Sequence, residues 1–231
     1  VFYGWWDWRF LSLIAFSTLV DYFAGKYMAG AESAKKRNLL LLLSLFTNLG
    51  LLGFFKYFNF FIDSAAVMLH MLGMQANLPT LRIILPVGIS FYTFQTLSYT
   101  IDVYRRNIEP EPSLLRFAVF VAFFPQLVAG PIVRASMMLP QLREDHRFSW
   151  DNLLTGITLV VWGYFLKVGL ADSIALIVDI TYANPQHFTS SALLVSTFFY
   201  TFQVYGDFCG YSSIAIGLAR ILGFDFGVNF F

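Results

Sequence analysis

Apolar runs of membrane-spanning length recur along this 231-residue chain, and no other feature limits its fold as strongly. About 20 apolar residues cross a bilayer as a helix. Lipid cannot satisfy a free peptide group, so a spanning segment must be helical or part of a closed barrel. Four runs meet the helical length: Phe10 to Met28, Leu39 to Phe61, Ile83 to Tyr104, and Leu153 to Ile180. A fifth extends from Ala192 to Leu222. The last two are longer than one span needs, so tilting or a break is expected near Gly169 and near Gly206 to Gly210. Ala65 to Leu72 is too short to cross and is expected to lie in the interface. The expected fold class is therefore an all-α polytopic membrane protein, a single multi-pass domain over 1–231. The start on Val1 and the end on VNFF suggest a domain cut at both ends.

Composition agrees with lipid as the main solvent. Hydrophobic residues make up 58% of the chain and charged ones 13%, against about 25% charged in soluble domains. The 27 Phe, 12 Tyr and 5 Trp suit lipid-facing walls and interfacial belts, and Trp5, Trp6 and Trp8 read as one such belt. A net charge of +1 gives no bulk attraction for nucleic acid. The lone Cys209 can form no internal disulfide and no paired thiolate metal site, and reads as a small packing residue.

The block from Leu85 to Arg134 interrupts this pattern. A long apolar helix, LPVGISFYTFQTLSYTIDVY, stops at Arg105 and Arg106, and the next apolar segment is broken by Pro125 and Gly130-Pro131. Irregular backbone at membrane depth persists only where protein buries it or where it lines a cavity. Lys35, Lys36 and Arg37 place the first connection in the cytoplasm, and two further spans bring Arg105, Arg106 and Arg116 back to that side. A crossing by Phe117 to Val133 would put Arg134, Arg143 and Arg147 outside; a re-entrant hairpin keeps them inside. The charge rule and the internal breaks favour the hairpin.

Ionisable groups within apolar segments mark functional candidates: Asp21, Lys56, Asp102, Lys167, Asp172, Asp179 and Asp207. Asp102 stands three and four residues before Arg105 and Arg106, which allows pairing. Lys56 is expected to snorkel to the headgroups. Lys167 and Asp172 are five apart, a poor spacing for a pair on a regular helix. Gly206 and Gly210 permit close helix approach, while Asp207 and Tyr211 share a face. Gln126 and Arg134 flank the helix break, the first able to satisfy freed backbone, the second able to hold phosphate. His70, His146 and His187 show no metal-ligand spacing, and no P-loop, serine elbow or dinucleotide pattern occurs.

Four strings go further. GFFKYFNFF, LPVGISFYTFQTLSYTIDVYRR, FFPQLVAGPIVR and QVYGDFCGYSSIAIGLARILGF resemble, in that order, the membrane-bound O-acyltransferase (MBOAT) family, in its alginate O-acetyltransferase membrane-subunit branch. The resemblance implies a multi-helix bundle with an internal tunnel, in a bacterial inner membrane. It also implies acetyl transfer from a cytoplasmic donor such as acetyl-CoA, with no bound cofactor. The acceptor would be an extracytoplasmic polysaccharide or a periplasmic partner protein that relays the acetyl group. The matched positions Tyr99, Asp102, Gln126, Arg134, Asp207 and Tyr211 would be tunnel or substrate-positioning groups. The family's active-site histidine is expected beyond the position of Asn229, so no catalytic role passes to a histidine here and this stretch alone is expected to be inactive. A transporter with broken helices and a non-catalytic scaffold of an export complex are the competing readings.

Overall fold

The computed structural model describes residues 2–73, 84–127 and 130–230. Every regular element among the described residues is helical. A short helix α1 (Phe2–Asp7) leads through a 3₁₀ turn (Trp8–Phe10) into α2 (Leu11–Ala29). There follow α3 (Ala34–Met71), α4 (Ile89–Arg105), α5 (Leu114–Val121), α6 (Phe124–Leu127) and α7 (Ala135–Gln141). A second series comprises α8 (Trp150–Tyr164), a π-helical stretch (Phe165–Ala171), α9 (Asp172–Ala183) and α10 (Ser190–Ile221). The chain forms two compact units, one of residues 1–122 and 134–139, the other of 123–133 and 140–231.

The expected spans correspond to α2, α3, α4, the α8–π–α9 helix and α10, with differences at their ends. Two helices are long and apolar enough to cross a membrane by length and composition, Ala34–Met71 and Trp150–Ala183, with mean hydropathies of 1.8 and 1.7. Only 17% of each apolar window is buried within the chain. Phe46, Phe60, Phe61 and Leu176 lie on their exposed surfaces. Outward-facing apolar surface of this extent marks a face solvated by something other than water. Trp5 and Trp8 are also exposed, as a belt requires; the side chain of Trp6 lies outside the described residues.

Two expectations about helix boundaries need correction. Ala65 to Leu72 is not a separate interfacial element: α3 runs without a break to Met71. No Gly or Pro stands between Lys56 and His70 to stop it, and Gly73, with φ +75, supplies the stop. Nor does α10 break at Gly206 to Gly210; those glycines serve packing instead, and the helix is continuous over 32 residues. The anticipated irregularity near Gly169 is present as the π-helical stretch. The start expected for the third span at Ile83 lies outside the described residues; the described helix begins at Ile89, after a turn with Gly88 at φ +73.

In the first unit α2, α3 and α4 pack around a polar centre. Asp21 is fully buried on α2. Its carboxylate accepts hydrogen bonds from Ser44 Oγ at 2.5 Å and from Asn48 Nδ2 at 2.9 Å, both on α3. Ser17 Oγ donates to Asn48 Oδ1 at 2.5 Å, and the hydroxyls of Thr96 and Thr100 on α4 also reach Asp21. One carboxyl side chain thus joins three helices. Beside it, α5 packs through Phe117, Phe120 and Val121, all fully buried. Tyr22 Oη donates to the Pro112 carbonyl at 2.7 Å, and Gln95 Nε2 to the Phe120 carbonyl at 2.8 Å.

The broken segment after α4 consists of helices too short to span: 8 residues in α5, 4 in α6 and 7 in α7. Ser113 caps α5 by accepting from Arg116 N. Gly130 follows the break with φ +118, a conformation only glycine adopts without strain. Residues 128–129, inside the expected hairpin, lie outside the described residues.

Candidate functional site: a lysine between two aspartates and a polar chamber

The second unit is assembled by glycines in register. Gly156 and Gly163 are seven apart on α8, and Gly210 and Gly217 are seven apart on α10, so each pair lies on one face of its helix. The helices run antiparallel and the pairs meet. A Cβ added to Gly156 would fall 2.6 Å from the Gly217 carbonyl oxygen, and one added to Gly163 would fall 2.6 Å from that of Gly210. Backbone therefore touches backbone at two levels, and the register is fixed.

One turn further along, the same register brings Lys167 opposite Asp207. Lys167 Nζ lies 2.6 Å from Asp207 Oδ1 and 2.7 Å from Asp172 Oδ1. The contact with Asp172 is a well-aligned hydrogen bond; that with Asp207 is as close but poorly aligned. Nζ also stands 5.5 Å from the centroid of the Tyr211 ring, a cation–π distance. The pairing of Lys167 with Asp172 corrects the expectation that a spacing of five is poor for a pair. Across Phe165–Ala171 the helix is wound with i→i+5 hydrogen bonds, which brings residues five apart onto one side. Such bulges concentrate at functional sites.

The cluster carries one positive and two negative groups, so it holds a formal charge of −1 on helices whose outer surfaces are apolar. A lysine gripped by two carboxylates is neither a base nor a nucleophile. Asp207, poorly aligned with Lys167, retains lone pairs that can accept from a hydroxyl. Its side chain is 44% exposed, and Tyr211 is exposed beside it.

A different face of α10 lines a chamber of about 540 Å³, completed by α8 and residues 225–230. That volume falls within the usual range of small-molecule sites. Ser212, Ser213, Thr155, Arg220 and Asn229 supply its polar groups. Asn229 Nδ2 donates to Ser212 Oγ at 2.9 Å, and an Arg220 terminal nitrogen lies 3.6 Å from Asp225 Oδ1. Trp162, Tyr205 and Phe230 form apolar walls. Cys209, buried as expected, lies in the lining between them.

The sequence-derived candidates separate into the two units. Asp207 and Tyr211 meet at Lys167. Gln126 is buried on α6 of the same unit. Tyr99, Asp102 and Arg134 belong to the first unit. Tyr99 is wholly buried; its hydroxyl accepts from Glu111 N at 3.1 Å and its ring stands 4.5 Å from that of Phe117. Asp102 takes Asn107 Nδ2 at 3.1 Å, not Arg105 or Arg106. The helix ends at Arg106 with φ +61, which turns the chain away from the regular path on which pairing at i+4 depends. Arg134 is exposed at the head of α7, its carbonyl accepting from Met137 N and Met138 N.

Lys56 is exposed, its Nζ 5.6 Å from the Tyr57 ring centroid, consistent with snorkelling. All three histidines are exposed; His146 is held by the Gln141 carbonyl at 2.8 Å and by the Phe224 ring. No group of three metal-ligating side chains occurs among the described residues. The Asp21 centre and the chamber were missed by sequence reasoning. Asp21 was visible as an ionisable group inside an apolar run, but its α3 partners Ser44 and Asn48 carry no signal of their own.

No protein-family model matches the chain. Individual relatives do. The chain is 41% identical over 233 residues to the Pseudomonas aeruginosa protein named probable alginate O-acetylase AlgI, covering 100% of this chain and 44% of the relative. It is 31% identical over 255 residues to a Helicobacter pylori peptidoglycan O-acetyltransferase, covering 99% and 47%. A teichoic acid D-alanyltransferase of Bacillus subtilis is 26% identical over 164 residues, covering 68% and 40%. The chain spans less than half the length of each of these relatives. Likeness along its whole length to alginate O-acetylases, on an all-helical chain with outward-facing apolar helices, identifies this chain as a member of the membrane-bound O-acyltransferase family.

Proposed function

We propose that this chain is part of a multi-pass inner-membrane O-acetyltransferase acting on the hydroxyls of an extracytoplasmic polysaccharide. The observation that carries this reading is the chamber of about 540 Å³, lined by hydroxyls, an amide and a guanidinium, in a chain that matches alginate O-acetylases from end to end. The donor is acetyl-CoA or an equivalent cytoplasmic thioester. In the transfer the thioester C–S bond breaks, an ester C–O bond forms, and the acceptor's hydroxyl proton ends on the released thiol. A periplasmic protein that relays the acetyl group is the partner.

Within this reading the residues described here hold and position substrate. Ser213, Asn229 and Arg220 line the substrate chamber, and Asp207 with Tyr211 forms a polar wall. Tyr99, Asp102 and Arg134 in the first unit, and Gln126 in the second, are further candidates for positioning groups. The short helices α5 to α7 form a re-entrant segment on the donor side of a tunnel.

The test is polysaccharide O-acetyl content in a strain whose own gene is replaced by variants of the intact protein. Ser213→Leu narrows the chamber while keeping the bond between Asn229 and Ser212, and should lower O-acetylation at least about tenfold at unchanged membrane level. Asp207→Ala should lower it as well. Full O-acetylation by both variants, at normal abundance, would defeat the proposal.

A further inference from the structure

A second cavity, of about 390 Å³, opens in the first unit where α2 and α4 end and α3 begins. Met28, Ala29, Val103 and Ile108 line its apolar side, and two arginines, Arg37 and Arg106, are also among the lining residues.

The two arginines are held differently. Arg37 is pre-positioned: an Nη donates to the Tyr104 carbonyl, and its guanidinium carbon lies 5.2 Å from the Tyr104 ring centroid. That leaves further N–H donors on the same planar group. Arg106 has φ +61, the only non-glycine residue with positive φ among the described residues. A long side chain in the left-handed region is uncommon and costs free energy, and such residues cluster at ligand sites. Its guanidinium makes no hydrogen bond or ion pair among the described residues. Glu109 is the one carboxylate in the lining, so the cavity keeps a net positive charge. Lys35 and Lys36 lie exposed in the first turn of α3 and add to it.

We infer that this cavity binds a phosphate ester, and that its source is the headgroup of an anionic membrane lipid. Guanidinium groups recognise phosphate oxygens through paired N–H donors. The neighbouring surface favours a lipid over a soluble phosphate, because the exposed side chains of Tyr27 and Leu39, on two of the three helices around the cavity, offer a path for acyl chains. Basic pockets between helix ends on the cytoplasmic side are suited to anionic headgroups. The inference is independent of the acyl-transfer reading.

Native mass spectrometry of the intact protein in detergent tests it, with phosphatidylglycerol and phosphatidylcholine at equal concentration. Phosphatidylglycerol should be retained in preference. Arg106→Asn removes the guanidinium while keeping a residue that tolerates the left-handed conformation. Arg37→Gln removes the other. Each should reduce phosphatidylglycerol retention about tenfold, in line with the loss of a charge-assisted contact. Arg37→Lys should recover part of it, and Arg147→Gln should leave it unchanged. Equal retention of both lipids, or unchanged retention in both arginine variants, would overturn the site. Displacement of bound lipid by inorganic phosphate would overturn the lipid as its source. Acetyltransferase activity is read separately, so this result and that of the proposed function can fail independently.

Discussion

Lys167 Nζ and Asp172 Oδ1 lie 2.7 Å apart although five residues separate them on one continuous helix, and the π-helical winding from Phe165 to Ala171 makes the contact possible. The same ammonium also grips Asp207 on α10. A local change of helical pitch therefore ties two helices together through one cation.

Lys167→Met should destabilise the protein more than removal of either aspartate alone. It leaves Asp172 and Asp207 without their shared cation, and an unpaired, partly desolvated charge is more costly than a lost pair. Because the two aspartates are nearly half exposed and the lysine a quarter exposed, the loss should be about 1–3 kcal/mol, below the range for fully buried pairs. The triple variant Lys167→Met, Asp172→Asn, Asp207→Asn should recover most of the thermal midpoint in detergent. No recovery would mean that the cation's role is not charge balance.

Glycine substitutions should rank by the space that each position offers. Gly163→Ala and Gly217→Ala put a methyl group 2.6 Å from a carbonyl oxygen. Overpacking of this kind costs about 1–3 kcal/mol, seen as a lower midpoint or lost accumulation in the membrane. Gly206→Ala, with 3.3 Å to the Leu166 carbonyl, should be milder. Gly53→Ala, with nothing within 4 Å, should be neutral or stabilise by up to about 1 kcal/mol through helix propensity. A Gly53 variant that loses as much as a Gly163 variant would refute the packing account.

The Asp21 centre should tolerate an amide better than a methyl group. Asp21→Ala strands the Ser44 hydroxyl and the Asn48 amide in the core, at about 1–3 kcal/mol for each unsatisfied group. Asp21→Asn keeps an acceptor in place and should lose less. Thermal unfolding of both variants decides the point, and equal losses would show that charge, rather than hydrogen bonding, holds α2 to α3.

Tyr22→Phe removes a single bond, from the Tyr22 hydroxyl to the Pro112 carbonyl, without changing side-chain volume. The expected loss is about 1 kcal/mol, with O-acetylation unchanged once protein level is normalised. A drop in specific activity would make Tyr22 more than a support for the α4–α5 connection.

Much of this arrangement was legible from run length and residue type. Membrane-length apolar runs located the long helices, and Gly206 and Gly210 announced a close approach. The α8 glycines that meet Gly210 and Gly217 were harder to find, because a spacing of seven has meaning only once two helices are known to run antiparallel. The contact between Lys167 and Asp172 was unreadable for another reason: patterns are judged against 3.6 residues per turn, and here the pitch changes. Asp102 misled because its expected partners follow a helix end that bends away at Arg106. The chamber combines α8, α10 and residues far along the chain, and no local pattern encodes such a meeting.

The length of α3 sets a mechanical condition on the whole molecule. Its 38 residues extend about 57 Å, whereas the hydrocarbon layer is about 30 Å thick. Tilted by 40°, the limit usually observed, a helix would use only about 39 Å of that length inside the layer. A remainder of several turns must leave the lipid, and both ends can stand in water, one bearing Lys35, Lys36 and Arg37, the other Asp63 and His70. As the bilayer thins or thickens, the helix can let more or less of its ends leave the lipid while Ser44 and Asn48 stay bonded to Asp21. It would act as a compliant strut that keeps the Asp21 centre at constant depth while the surrounding membrane changes thickness.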